Sequence, residues 1–115
     1  MAPAAAGSAA NPDVDRAIAF MQANLHAIAT VRDVAAHVNL SVYHFSRTFK
    51  REIGIPPHRY MMLLRIERAK TLLRTTNYKL KRIALEVGLH SEANFIHTFR
   101  KATGRSPTEF RRADD

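Results

Sequence analysis

Ser41 and Ser91 each precede a short run of side chains with distinct hydrogen-bonding edges. After Ser41 come Tyr43, Ser46 and Arg47; after Ser91 come Glu92, Ala93, Asn94, Ile96 and His97. The guanidinium of Arg47 can donate two parallel hydrogen bonds, which suits guanine O6 and N7. The amide of Asn94 both donates and accepts, which suits adenine, and the Glu92 carboxylate can accept from cytosine. Tyr43, Ala93 and Ile96 can touch a thymine methyl. Basic side chains flank both runs: Lys50 and Arg51 behind the first, Arg100, Lys101 and Arg105 behind the second, and Lys79, Lys81 and Arg82 before it. With Ser41 and Ser91, these suit phosphate oxygens, contacts that position a chain on a duplex without reading its sequence. Taken singly, each is an ordinary solvent-facing residue; their recurrence sets them apart.

The recurrence is an internal repeat. Ala35, Val38, Ser41, Phe45, Phe49 and Gly54 return as Ala84, Val87, Ser91, Phe95, Phe99 and Gly104. The offset is 49 before the serine and 50 from it onward, so the second copy holds one extra residue between its two helices. Each copy reads as helix, tight turn, helix, and a pair of such units predicts a protein that reads two successive major-groove segments of DNA.

The elements that carry these residues follow from apolar spacing and punctuation. Val14, Ala17, Ile18, Met21 and Leu25 recur at helical spacing and predict a first helix from about residue 13 to 25, with Asp13 and Asp15 at its positive end. Thr30 with Asp33 caps a two-turn helix whose inner face is Val31, Val34, Ala35 and Val38. Asn39 and its counterpart Gly88 both tolerate the left-handed conformation that ends a helix. Ser41 caps a helix over 42–53, with Phe45 and Phe49 inward, Val42, Tyr43, Ser46, Arg47 and Lys50 outward, and Gly54 as its stop. Pro57 opens a long helix to about residue 74, because proline has no amide hydrogen to leave unpaired at a first turn. Its expected buried stripe is Tyr60, Leu63, Ile66, Ala69 and Leu73, surrounded by Arg59, Arg65, Arg68 and Lys70. Leu80, Ile83, Ala84 and Val87 form another short helix, and Phe95, Phe99 and Ala102 the inner face of the next. Ser106-Pro107-Thr108-Glu109 is a capping box that starts a last helix with Phe110 inward. The expectation is an all-α fold of seven helices: two helix-turn-helix subdomains, residues 13–54 and 77–112, joined by a linking helix within 55–76. Residues 1–12, rich in Ala and Pro, read as a linker or tail.

Composition narrows the function class. Residues 41–112 hold 16 of the 18 basic side chains and only 5 of the 10 acidic ones, which favours a polyanionic partner. There is no cysteine, hence no disulfide or thiolate site. No apolar run approaches the roughly 18 residues of a membrane span, and the N-terminus lacks the pattern of a secretory signal. The six histidines show no pair four residues apart, so neither a metal nor any other cofactor is expected. The serines sit where caps belong, and no paired carboxylates, phosphate-cradling glycine loop or triad points to an enzyme.

The run Val34-Ala35-x-x-Val38-x-Leu40-Ser41-x-x-x-Phe45-x-Arg47-x-Phe49-Lys50-x-x-x-Gly54 resembles the AraC/XylS family of bacterial transcription regulators. So does Ile83-Ala84-x-x-Val87-Gly88-Leu89-x-Ser91-x-x-x-Phe95-x-x-x-Phe99-Arg100-Lys101-x-x-Gly104-x-Ser106-Pro107-x-Glu109-Phe110-Arg111, and Arg65-x-x-x-Ala69-x-x-Leu72-Leu73 is similar to that family's linking helix. The likeness covers residues 13–112. It implies base contacts from Tyr43, Ser46 and Arg47 in the first unit and from Glu92, Ala93, Asn94, Ile96 and His97 in the second. His97 stands where members often have Arg or Lys, and Ala93 is short, which implies weaker contact by the second unit. Many members also carry an effector-binding, dimerising domain. The expectation is therefore an isolated C-terminal DNA-binding domain in preference to a stand-alone member.

The resemblance implies sequence-specific binding of double-stranded DNA by a cytoplasmic regulator, most often an activator, with RNA polymerase as a further partner. This fragment is expected to act as a monomer. Two rivals are an RNA-binding helical module and a basic protein-interaction module. The first needs exposed aromatic platforms, whereas Phe45, Phe49, Phe95, Phe99 and Tyr60 fall on inward positions.

Overall fold

Asn11 starts the first helix. In the computed structural model, which describes residues 11–28 and 30–113, its side chain accepts a hydrogen bond from the Asp13 amide at 2.8 Å. Pro12 takes the first helical position, so α1 (Pro12–Ala23) begins one residue earlier than the apolar spacing predicts. An Asn cap followed by proline is a helix start that the apolar spacing does not register. The helix also ends earlier, at Ala23, and Leu25 is buried from the turn that follows. Most of the expected 1–12 tail, residues 1–10, lies outside the described residues.

Six more helices follow: α2 (Val31–His37), α3 (Val42–Ile53), α4 (Pro57–Thr75), α5 (Leu80–Glu86), α6 (Glu92–Thr103) and α7 (Pro107–Ala113). The described residues contain seven helices and no strand, an all-α fold. The chain divides into two compact units, and the division falls between Leu64 and Arg65, inside α4.

In the first unit α1, α2, α3 and the start of α4 enclose Val14, Ile18, Met21, Val34, Phe45, Phe49 and Tyr60, each almost wholly buried. The Phe45 and Phe49 rings lie 5.6 Å apart, and Tyr60 meets Phe49 edge-on at 5.4 Å. Fully burying side chains of this size contributes roughly 1.5–3 kcal/mol each, which is why their spacing sets the helix register. The Asp33 carboxylate accepts from the Thr30 amide at 3.1 Å and closes the start of α2.

The second unit repeats the plan around Ile83, Ala84, Val87, Phe95 and Phe99, with Ile66, Ala69 and Leu73 from the later part of α4 also buried. Phe99 meets Phe95 at 5.8 Å and the half-buried Phe110 at 5.5 Å, both edge-on. The capping box before α7 is reciprocal: Ser106 N donates to Glu109 Oε1 at 2.9 Å, and Glu109 N donates to Ser106 Oγ at 3.1 Å. Arg111 donates from Nε to the Leu73 carbonyl and from Nη2 to that of Thr76, at 3.1 and 3.2 Å, supplying partners to the unpaired end of α4.

Three burial expectations fail here. Leu63 is 43% exposed, because α4 does not carry one continuous stripe. Tyr60, Met61 and Leu64 belong to the first core, while Arg65, Ile66, Ala69, Leu72 and Leu73 are buried beyond the unit boundary, and Leu63 falls between the two sets. Arg65, expected on the open side of the helix, is only 7% exposed. Ala102 is exposed, since Phe95 and Phe99 already fill the inner face of α6.

Candidate nucleic-acid interface

Helices α3 and α6 are each held at their start by a tight turn. In both units the turn residue has positive φ, +59° at Asn39 and +82° at Gly88. The following leucine then bonds back five residues, Leu40 N to Ala35 O at 3.0 Å and Leu89 N to Ala84 O at 2.9 Å. A β-branched side chain would be strained at such a φ, whereas glycine is not and asparagine tolerates it. The extra residue of the second copy is His90. It also takes a left-handed φ, +60°, and Ser91 N reaches back across it to Leu89 O at 2.7 Å, a single γ-turn that absorbs the insertion.

The two serines cap alike. Ser41 Oγ accepts from His44 N at 3.1 Å, and Ser91 Oγ from Asn94 N at 3.0 Å. Each satisfies an amide that the helix leaves unpaired and places the first turn of α3 or α6 at the surface.

On α3, Tyr43 is 70% exposed and Arg47 is exposed one turn later. Arg47 Nη1 donates to the Tyr43 hydroxyl at 3.0 Å, with the guanidinium carbon 5.4 Å from the ring centroid. Lys50 and Arg51 are exposed and Ser46 is half-buried. Val42 is not outward as expected; it packs against the first core. Tyr43, His44, Arg47, Thr48 and Arg51 line a shallow cavity of about 200 Å³, and Arg47, Lys50 and Arg51 line a more open neighbour of about 440 Å³. His44 was not among the expected contacts. Its signal was present: residues 44, 47, 48 and 51 share one helix face at i, i+3, i+4 and i+7.

On α6, Glu92, Ala93, Asn94 and His97 are exposed. Ile96 is half-buried, so it is less outward than the spacing suggests. The Asn94 amide is partly engaged within the unit, donating from Nδ2 to Leu89 O at 3.1 Å and accepting from Thr98 Oγ1 at 3.4 Å. Arg100, Lys101 and Arg105 are exposed behind it. Of the basic residues before the turn, Lys79, Lys81 and Arg82 are all exposed; the Arg82 guanidinium carbon also lies 3.6 Å from the Tyr78 ring centroid, with its Nε 3.8 Å from Glu86 Oε1.

Arg65 supports this second turn from beneath. Its Nε donates to the Val87 carbonyl, at the end of α5, at 3.0 Å. Burial pulls its titration below the usual arginine value, yet a guanidinium remains charged in proteins. Spacing alone did not reveal this role, since a lone arginine beside an apolar stripe reads as solvated.

The five aromatics that could have formed a stacking platform, Phe45, Phe49, Phe95, Phe99 and Tyr60, are buried. No group of acidic, histidine or cysteine side chains among the described residues could hold a metal ion, and no described helix is long and apolar enough to cross a membrane.

Two serine-capped helices, each behind a tight turn and each flanked by basic residues, define a tandem helix-turn-helix protein. The chain belongs to the AraC/XylS family: the family model for a helix-turn-helix domain matches residues 34–113. It is 31% identical over 99 residues, 86% of this chain, to the melibiose operon regulatory protein of Escherichia coli K12. It spans about a third of the length of that relative. The C-terminal domain of AraT, a response regulator from Geobacillus stearothermophilus, matches with a TM-score of 0.86 and 34% identity, over 90% of this chain and 86% of that one. The DNA-binding domain of the global transcriptional factor AdpA, solved in complex with a target DNA, matches with a TM-score of 0.84 and 27% identity, over 90% and 93%.

Proposed function

We propose that this chain is the sequence-specific, double-stranded-DNA-binding part of a cytoplasmic bacterial transcription regulator, with α3 and α6 reading two successive major-groove segments. The observation that carries the proposal is the paired geometry of the reading helices. Each is capped by a serine, exposed in its first turns and followed by basic side chains, in a chain whose family is defined by such units. Base contacts fall to Tyr43, Ser46 and Arg47 in the first unit and to Glu92, Ala93, Asn94, Ile96 and His97 in the second. Phosphate contacts fall to Ser41, Lys50, Arg51, Lys81, Arg82, Ser91, Arg100 and Lys101. The role is non-catalytic. The regulator acts as an activator, with RNA polymerase as its second partner, and this fragment binds as a monomer.

Selection of bound sequences from a random duplex pool tests the reading. A bipartite motif should emerge, its halves about one helical turn, roughly 10 base pairs, apart. Affinity should fall steeply with salt as phosphate contacts release counterions. Five base pairs inserted between the halves turn one away from the other face and should abolish bipartite binding by one chain. An unstructured set of selected sequences would reject sequence-specific reading, and undiminished affinity after the insertion would reject two-groove binding.

A further inference from the structure

We infer that Tyr43 is a positioning residue for base selection: its hydroxyl and ring brace Arg47 so that one particular edge of the guanidinium is offered to a base. The inference rests on the DNA-reading role proposed above. An arginine has five N–H donors on a plane and a long stem with many rotamers, so an exposed one is ordinarily an unselective donor. Arg47 differs. Its Nη1 is occupied by the Tyr43 hydroxyl at 3.0 Å, and its guanidinium carbon lies 5.4 Å from the ring centroid one helical turn away. The two side chains restrain one another from the same exposed face, with Tyr43 70% exposed.

The remaining donors follow from guanidinium geometry. With Nη1 engaged, the Nε–H and Nη2–H edge stays whole, and it has no partner among the described residues. That edge presents two parallel donors, the match for the O6 and N7 acceptors of guanine and a mismatch for adenine, whose N6 is itself a donor. The hydroxyl accepts from Arg47 and so keeps its own hydrogen to donate elsewhere. The cost of ordering the arginine is thus met before DNA arrives, and ordering costs of this kind separate a discriminating contact from a merely attractive one.

Tyr43→Phe removes the hydroxyl and keeps the ring. On the selected duplex, affinity for the guanine site relative to the same site with that pair replaced should fall about three- to tenfold. Discrimination at the pairs facing α6 should not change. In an Arg47→Ala background, Tyr43→Phe should cause no further loss of discrimination at that guanine pair, because a brace has nothing left to hold. Additive losses in this cycle, or a Tyr43→Phe chain that discriminates as well as its parent, would overturn the inference. A second measurement needs no DNA: relaxation of the Arg47 side-chain Nε–H should report a restricted guanidinium in the parent and a freer one in Tyr43→Phe. Equal mobility overturns the brace even where DNA is read as proposed. A restricted guanidinium in a parent without sequence preference overturns the DNA-reading role instead, and the selective function of Tyr43 with it.

Discussion

In α3 the principal hydrogen-bonding side chain, Arg47, is tied only to a neighbour on its own helix, Tyr43. In α6 the hydrogen-bonding side chain sits at a different repeat position: Asn94, the counterpart of His44, is tied back into the turn through Leu89 and to Thr98. The turns and cores behind them are near copies: equivalent phenylalanines, equivalent serine caps, and the same bond from leucine back to alanine. Two units can therefore share one solution to folding while dividing the surface differently. The first commits its polar groups outward. The second spends part of Asn94 on its own stability and keeps Glu92, Ala93 and His97 exposed.

The cores are where that equivalence is most easily broken. Phe99→Ala should destabilise the second unit by about 3–5 kcal/mol, through lost burial and a residual cavity, and Phe49→Ala should do the same to the first. Denaturant unfolding of both variants checks this; a large difference between them would show that the cores are alike in pattern and unlike in packing. Gly88→Val should cost about 1–3 kcal/mol, because valine cannot take a φ of +82° without strain. Asn39→Gly, its counterpart, should be nearly neutral in the same assay.

The reading faces should separate by the kind of loss. Arg47→Ala should leave the thermal midpoint unchanged and cost about 1–3 kcal/mol on the selected DNA site, with relaxed preference at one base pair. Asn94→Ala should also lower the stability of the second unit, by about 0.5–1.5 kcal/mol, because it gives up bonds within the fold. Equal thermal midpoints for the two variants would erase the distinction drawn between α3 and α6.

The smallest expected effect concerns the α7 capping box, whose Ser106 and Glu109 are replaced by Pro56 and Arg59 at the equivalent place in the first unit. The Ser106 backbone amide, then its hydroxyl, holds the Glu109 carboxyl below its ordinary range, with help from Arg100 and Arg105. A lowered folded-state value means the contribution is present above the unfolded value and is lost as pH falls through the lower, folded one. The thermal midpoint should thus drop slightly more steeply in the parent than in Glu109→Gln as pH falls below the ordinary glutamate range.

Most of this fold was legible because it is written twice. The phenylalanine pairs, the serine caps and the asparagine–glycine correspondence each support the other copy, and α2, α3, α5 and α6 follow from them, while α1, α4 and α7 follow from apolar spacing, Pro57 and the Ser106–Glu109 box. The errors have two sources. Leu63 and Arg65 lie on the unrepeated α4, where a helical period cannot say which of two cores a position serves. Val42, Ile96 and Ala102 show a different limit: they flank the buried face of α3 or α6, where positions range from half-buried to exposed and periodicity alone cannot rank them. The Tyr43–Arg47 bond is a property of the folded helix face that i, i+4 spacing allows without requiring.

Seen as heredity, the two turns differ by one codon. His90 is absorbed in a single γ-turn at the surface, with the Leu89 to Ala84 bond before it and the Ser91 cap after it both intact. A gain or loss of length at that point leaves the register of neither helix disturbed, so duplicated modules of this kind can drift in length between their helices while their inward phenylalanines stay in step.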